Sequence, residues 1–513
     1  MKNGRILRMK STSVQIIEKL KKAGYQAYWA GGCVRDMLLG IEPKDFDIVT
    51  SAKPEEIERI LKHTVPIGKE FGVILAIKDG HHFEVATFRS DAGYSDGRRP
   101  DAVEFTNAEE DAFRRDFTIN ALFYDPTEDE LLDHVGAKED LRDRLIRFIG
   151  DPEERIKEDH LRILRAVRFK NAFNFQYHPD TYQAIKKHVK LIEKISKERV
   201  RDELNKMIMS QSPGQAFEEL FEIGALELII PELCQLKGLA QPLQYHQEGD
   251  VWDHSIRALN ALTDEEASGD PLPETPPTPA LKWAAFMHDI GKYKTFDVDH
   301  ERIRYDKHSE VGADIAKKIL TRLKFPKKMI ERVHWLIEHH MMVVPLLEMP
   351  DGRRRHWFLQ PGFEELLEVY RADALGIVPQ NLNLYYQVKK LYDHEIAKLK
   401  LMPKKLVDGN DVIKLFGMRP GKQVGKILED VRHQQLDGKI KNRKEALKYL
   451  ESQQEKYSKP SSSSAETEGT RASRGLDFLL QSGTAQNQPT ILREVQDRSN
   501  NRPEEKGPNH RKT

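Results

Sequence analysis

The chain has 513 residues, too many for one ordinary core, so about three or four domains are expected. Its 82 basic and 82 acidic side chains cancel, which excludes a uniformly basic nucleic-acid coat while leaving room for local basic faces. Cys33 and Cys234 are the only cysteines, which argues against a disulfide framework and for a reducing compartment, and no apolar run reaches the ~18 residues of a membrane-spanning helix.

The opening segment MKNGRILRMKSTSVQ lacks the apolar stretch of a signal peptide, so a soluble cytoplasmic protein is expected. Residues 11–24 read as a helix entering the strand QAYWAGG. From 26 to about 135 strands mix with short helices, and GVILAIKDGHHFEVATFR reads as a hairpin turning at Asp79-Gly80. From 151 the pattern turns helical. Ile156, Leu161, Leu164 and Val167 recur at helical spacing with no turn residue between them, which predicts one helix. The acidic, proline-rich stretch SGDPLPETPPTPALKW interrupts the helices until a new one starts at Ala280. From SKPSSSSAETEG to Thr513 the chain is polar and of low complexity, and disorder is expected, with GLDFLLQ as a chance apolar cluster or a short docking helix.

Within GGCVRDMLLGIEPKDFDIVT, side-chain alternation puts Asp45 and Asp47 on one face of a strand and Phe46 on the other. Two carboxylates side by side repel each other, and a divalent cation is what relieves that. A bare Asp-x-Asp is usually a solvated turn. Here Gly31 and Gly32 precede it, where a backbone can approach a phosphate, and Arg35 follows within a turn. Glu84, on the second hairpin strand, is a candidate third carboxylate for a site holding two magnesium ions.

Five segments in order, GGCVRDMLLGIEPKDFDIVT, FEVATFRSDAGYSDGRRPDAVEF, RRDFTINALFYDP, EDHLRILRAVRF and SKERVRDEL, resemble the class II tRNA nucleotidyltransferases, the CCA-adding enzymes, and the related bacterial poly(A) polymerases. The resemblance spans roughly residues 20–230. It implies a head with a five-stranded sheet, followed by a helical neck, body and tail. Arg114 and Arg115 are then candidates to hold triphosphate oxygens. Asp116 and Asn120, four apart on an expected helix, would face the same ligand. Asp159 and Arg162, three apart on an expected helix face, would imitate a complementary base edge and select C or A, with Glu158 and Arg165 orienting them. An ordinary i,i+3 salt bridge is the plainer reading of that pair when it is taken alone. SDAGYSDGRRP, residues 90–100, resembles the family loop that helps the enzyme shift from adding C to adding A.

A second series follows: His254, the His288-Asp289 doublet before Ile-Gly-Lys, His308, His339, His340 and Asp373. It resembles the metal site of the HD-domain phosphohydrolases. The donors suit Ni, Mn, Fe, Zn or Mg, and a metal there would activate water against a phosphate ester at an RNA end. Further on, RPGKQVGK either offers backbone N–H groups and Lys422 to RNA phosphates or is a plain Pro-Gly turn between helices.

The expected fold class is α+β. A nucleotidyltransferase head with a small mixed sheet covers 1–150. An all-α neck and body over 151–245 binds RNA and the nucleobase. A helical HD-type metal-binding domain covers 246–380, a helical tRNA-binding region 381–455, and a disordered tail 456–513. The expected activity is template-independent addition of CCA to tRNA from CTP and ATP, without membrane association, as a monomer or homodimer. Rival readings are A-only or CC-only addition, poly(A) synthesis, an RNA-binding scaffold, or an HD phosphohydrolase with an inactive head.

Overall fold

A computed structural model describes residues 2–93, 97, 102–265, 269–272, 275–299, 302–398, 403–454 and 457. Most of the glycine-rich loop at 90–100, part of the proline-rich stretch, and the tail beyond 457 with its GLDFLLQ segment lie outside the described residues. The described chain divides into two compact units, residues 1–343 with 355–403, and residues 344–354 with 404 onward.

The first unit begins with a helix over Lys2–Lys22, longer than the 11–24 expected. Among the described side chains none before Thr12 is buried, and Leu7 there is 65 % exposed, so no apolar period marked the first turns. The C-terminal half buries Ile16, Ile17 and Leu20, and Ser13 accepts a 3.0 Å hydrogen bond from Trp29 Nε1. Trp29 lies on β1 (Ala27–Ala30). The other strands of the head are β2 (Ile48–Thr50), β3 (Thr64–Gly68), β4 (Val73–Lys78), β5 (His81–Thr87), β6 (Arg89–Ala92), β7 (Ala102–Phe105), β8 (Leu122–Asp125) and β9 (Glu130–Asp133).

The main sheet has seven strands in the order β3-β4-β5-β2-β1-β8-β9, rather than the five expected. The sheet is mixed, as expected: β2 and β5 run parallel, and the other adjacent pairs run antiparallel. β4 and β5 form the hairpin at Asp79-Gly80, with Asp79 at φ 52° and Gly80 at φ 74°, the left-handed pair that such turns require. Ala30, Val49, Phe88, Ala112, Ala121 and Phe123 make one buried layer against a face of the sheet.

The neck corrects one expectation. Instead of one helix, the chain forms helices over Pro152–Glu158 and Arg162–Phe173, broken at Asp159, whose φ of −143° and ψ of 104° are extended. The Asp159 carboxylate turns back to accept from the amide of Leu161 at 3.0 Å, a local bond that competes with helix. Beyond it the first unit is almost wholly helical. Helices over Val251–Asn260, Pro279–Met287, His308–Arg322, Lys327–His339 and Phe363–Gly376 pack on one another. Thr278 caps the helix at Pro279, one residue before the predicted start, by accepting from the Leu281 amide. No described helix is long and apolar enough to cross a membrane.

In the second unit, helices over Gly409–Phe416, Lys422–Leu436 and Arg443–Ser452 bury Val412, Ile427, Val431, Ala446 and Leu450. Lys422 is exposed and opens the middle helix, after Gly421.

Candidate active site and metal cluster

β2 begins at Ile48, so Asp45 and Asp47 sit on the extended segment entering it rather than on the strand itself. The alternation nevertheless holds. Phe46 is buried and both aspartates are exposed, and the Asp47 carbonyl still accepts from the Ala30 amide at 3.0 Å. The parallel register Ile48↔Val85 places Glu84 beside Asp47, also exposed. Partial desolvation, then the like charges of Asp45 and Glu84, push the Asp47 carboxyl up to about 6, against the pull of Arg115. Asp47 keeps exposed surface, so the like charges are the cause that a bound cation removes. Three hard oxygen donors on rigid backbone, with their repulsion only partly offset by Arg115, fit a divalent cation.

Gly31 adopts φ +70°, and a Cβ on it would lie 2.9 Å from Arg115 Nη1. What the glycine turn admits in this structure is therefore a guanidinium. Arg114 and Arg115 are both held by Asp111, a fully buried carboxylate: Arg114 Nε donates at 2.9 Å and Arg115 Nη2 at 3.0 Å. Asp111 escaped the sequence reading, although its i,i+3 and i,i+4 spacing to the two arginines was visible.

Asp116 and Asn120 do not share an α-helix; Asp116 lies in the bend before a 3-10 segment over Thr118–Asn120, and Asn120 ends that segment. They are joined nonetheless, Asn120 Nδ2 donating to Asp116 Oδ1 at 3.0 Å. Arg165 donates to Asp116 Oδ2 at 2.7 Å. Burial opposes ionisation of Asp116, but the Arg165 charge and these bonds hold it well below the usual carboxylate range. Arg35 is 7 % exposed, donates to Asn120 Oδ1 and to Asp36, and lies 4.4 Å over the Phe173 ring. It is engaged inside the fold, tying the glycine turn to the neck. Gly32 opens the helix that carries it.

Asp159 and Arg162 do not form a mutual side-chain pair. The Asp159 carboxylate takes two parallel bonds from Arg199, at 3.0 and 2.7 Å. Arg162 donates to the Arg155 carbonyl at 2.7 Å and to Glu158 at 2.5 Å. One turn keeps the two together, the Arg162 amide donating to the Asp159 carbonyl at 3.0 Å. Arg199 stood in the quoted SKERVRDEL, but its partner lies 40 residues away, beyond any local spacing rule.

The second constellation converges. His254 Nε2 lies 3.1 Å from Asp373 Oδ1 and 3.2 Å from His288 Nε2. His288 Nε2 is 3.2 Å from Asp289 Oδ2, and His308 Nε2 is 3.2 Å from His340 Nε2 and 3.5 Å from Asp289 Oδ1. The donors of His254, His288 and Asp373 fall within 4.8 Å of one another, as do those of Asp289, His308 and His340. Gly291 lets the helix of His308 approach, since a Cβ there would lie 2.0 Å from the His308 carbonyl oxygen. Burial opposes ionisation of Asp289, yet His288 and Lys292 hold it well below the usual carboxylate range. Imidazole nitrogens and carboxylate oxygens gathered this closely fit a divalent metal.

His339 is the exception. Its Nδ1 meets the Trp335 carbonyl, and its ring stacks on Trp335 at 5.1 Å and packs on Trp357 at 5.3 Å, away from the cluster. Two residues escaped the sequence reading. Lys292 Nζ reaches Asp289 Oδ2 at 2.6 Å. Glu248, a fully buried carboxylate, meets His254 Nδ1 at 3.1 Å and accepts from the Val378 amide at 2.8 Å. It is placed to fix which His254 nitrogen faces the cluster.

Three family models match the chain: poly A polymerase head domain over residues 27–147, the probable RNA and SrmB-binding site of polymerase A over 174–237, and HD domain over 251–375. The CCA-adding enzyme of Ligilactobacillus salivarius is 32 % identical over 436 residues, covering 85 % of this chain and 94 % of its own. The chain belongs to the CCA-adding enzyme family. A second CCA-adding enzyme, from Bacillus velezensis, is 30 % identical over 446 residues, covering 85 % of this chain and 96 % of its own. Among solved structures, the Bacillus stearothermophilus CCA-adding enzyme in complex with CTP matches with a TM-score of 0.62 at 27 % identity, over 86 % of this chain and 97 % of that one.

Proposed function

We propose that the protein adds the 3'-terminal CCA to tRNA, taking CTP and ATP as substrates and releasing pyrophosphate. The observation that carries this reading is the gathering of Asp45, Asp47 and Glu84 beside the paired interior strands β2 and β5, in a chain of the CCA-adding enzyme family. Asp45 and Asp47, with Glu84, hold two magnesium ions. Magnesium supplies charge stabilisation for the triphosphate and the departing pyrophosphate. Arg114 and Arg115, kept in place by Asp111, offer paired donors to triphosphate oxygens. Asp116 and Asn120 position the nucleotide, and Arg35 and Arg165 brace them. Asp159 accepts from the exocyclic amine of cytosine or adenine, and Arg162 donates to the adjacent ring position, so uracil and guanine meet the wrong pattern. The test is photo-cross-linking of labelled nucleotides in magnesium: CTP and ATP are retained, and UTP and GTP are not. Equal labelling by all four sinks the selective reading.

Two expectations follow for this site. Replacing Arg199 with alanine frees the Asp159 carboxylate to rotate, so discrimination of CTP and ATP against UTP and GTP falls about tenfold, with the melting temperature little changed. Arg199→Lys keeps the charge but not the parallel pair, and should fall between the two. The check is the ratio of kcat/KM values for the four nucleotides.

The second expectation concerns pH. Asp47 in the metal-free protein titrates near 6 instead of at the ordinary 3.8, so protons and magnesium compete for it. At pH 5 it is mostly protonated. Apparent magnesium affinity is then about tenfold weaker than at pH 8 and flat above ~7. The raised value also means that the metal-free folded state takes up a proton between pH 6 and 4 that the unfolded chain does not, so this group stabilises the apo fold as pH falls. Magnesium titrations at pH 5, 6, 7 and 8 measure the first effect, and apo melting curves the second.

At the His-Asp cluster we propose metal-dependent hydrolysis of phosphate esters at RNA ends. His254, His288, Asp289, His308, His340 and Asp373 hold a divalent metal such as nickel, manganese, iron, zinc or magnesium. The metal supplies Lewis acidity for attack on phosphorus. Glu248 keeps His254 in the required tautomer.

A further inference from the structure

Gln241 lies between the helices Pro231–Cys234 and Val251–Asn260 and is 4 % exposed. Its Oε1 accepts from Lys292 Nζ at 2.8 Å. Lysine carries donors only, so this contact settles which end of the amide is oxygen. The other end, Nε2, is buried with two N–H donors and no hydrogen-bond partner among the described residues. Such a group gives up water and recovers nothing for it, which folded proteins seldom tolerate without a reason.

Its surroundings supply the reason. Lys292 spends one donor on Gln241 and another on Asp289 Oδ2 at 2.6 Å, so a single ammonium separates the amide from the His-Asp cluster. The segment is pinned there, because the Tyr305 hydroxyl donates to the Ala240 carbonyl and the Tyr305 ring lies 5.3 Å from Lys292 Nζ. A neutral N–H donor and an ammonium held side by side next to a metal-ligand cluster suit an oxyanion with several acceptor oxygens.

We propose that Gln241 Nε2 donates to a non-bridging oxygen of the phosphate group presented to the His-Asp cluster. Gln241 and Lys292 thus form the anion-holding side of a phosphate-ester site. Gln241 is a positioning residue for substrate, and this role rests on the phosphohydrolase reading given above. The shared chemistry is a phosphoryl oxygen, whether the RNA end carries a monoester or a cyclic diester.

The test uses the full chain loaded with manganese and with zinc in parallel, titrated with inorganic phosphate by calorimetry, with bound metal measured on the same samples. The parent is expected to bind phosphate. Gln241→Leu, of similar volume but with no donor, should weaken binding about tenfold at unchanged metal content. Gln241→Glu should weaken it more, since a carboxylate repels the anion. Incorporation of CTP into tRNA should be the same for all three proteins. Should the leucine variant fold poorly, Gln241→Met removes the donor while keeping the length. A leucine or methionine variant that binds phosphate as the parent does overturns the role of Gln241 alone, and leaves an ordered water as the partner of Nε2. A variant that loses metal together with phosphate also overturns it, by showing that the side chain serves Lys292 rather than a ligand. A metal-loaded parent that binds no phosphate overturns the phosphohydrolase reading and the role of Gln241 together.

Discussion

Replacing Asp45 and Asp47 together with alanine is expected to lower nucleotide incorporation by about a thousandfold or more, because the charge stabilisation supplied by bound metal is worth several kcal/mol in such a transfer. The protein should fold as well as before. Both side chains are exposed, and the Asp47 carboxyl is raised by desolvation first and then by the like charges of Asp45 and Glu84, a repulsion that the double variant relieves. The melting temperature without metal should therefore hold or rise, while the stabilisation added by magnesium disappears. Phosphate-ester hydrolysis at the His-Asp cluster should be untouched. Kinetics of CTP addition paired with melting curves with and without magnesium check both halves. Retention of full activity would remove these carboxylates from the chemistry.

The complementary change is Asp289→Asn. Asp289 turns one oxygen to His288 and Lys292 and the other to His308, so no other residue of the cluster replaces it. Metal affinity should fall by at least the roughly 10- to 100-fold that loss of an outer-shell partner costs, and phosphate-ester hydrolysis should fall with it. CTP and ATP addition should persist. Asparagine keeps the shape of the side chain, but it leaves the Lys292 ammonium buried beside a neutral group, so a lower melting temperature is also expected. Bound metal per chain and both activities, measured on one preparation, distinguish a lost metal site from a general loss of fold.

How much of this was legible in the sequence differs from residue to residue. Asp45, Phe46 and Asp47 were readable because a two-residue period survives even where the strand has not formally begun. The hairpin at Asp79-Gly80 was readable because turn chemistry is local, and the helix start expected at Ala280 fell within one residue of Pro279 because the proline-rich stretch ends there. The break at Asp159 was not, since neither glycine nor proline marks it; a side chain bonding back to the Leu161 amide and out to Arg199 does the work. His339 and His340 show a different limit. Both were expected at the metal site, although adjacent residues near a helix end point about 100° apart and so seldom face one centre together. Here His340 faces the cluster, while His339 stacks on Trp335. Glu248 and Gln241 sit on irregular chain, where no period applies, and the partners that tie them to the cluster and its surroundings, His254, Lys292 and Val378, lie six to 130 positions away. Asp111 was visible as a salt-bridge spacing but not as the anchor of two candidate triphosphate-binding arginines.

The most direct measurement is an extension assay with purified protein, magnesium, CTP and ATP, and three forms of one tRNA ending at the discriminator base, at C and at CC. The account predicts that each is completed to CCA, that CTP alone halts the first after two additions, and that synthesis then stops. Extension of the CC-ended tRNA alone would instead mean A-only addition, and long adenosine tails would mean poly(A) synthesis. No incorporation on any of the three would contradict the proposed activity outright and leave the His-Asp cluster as the working site.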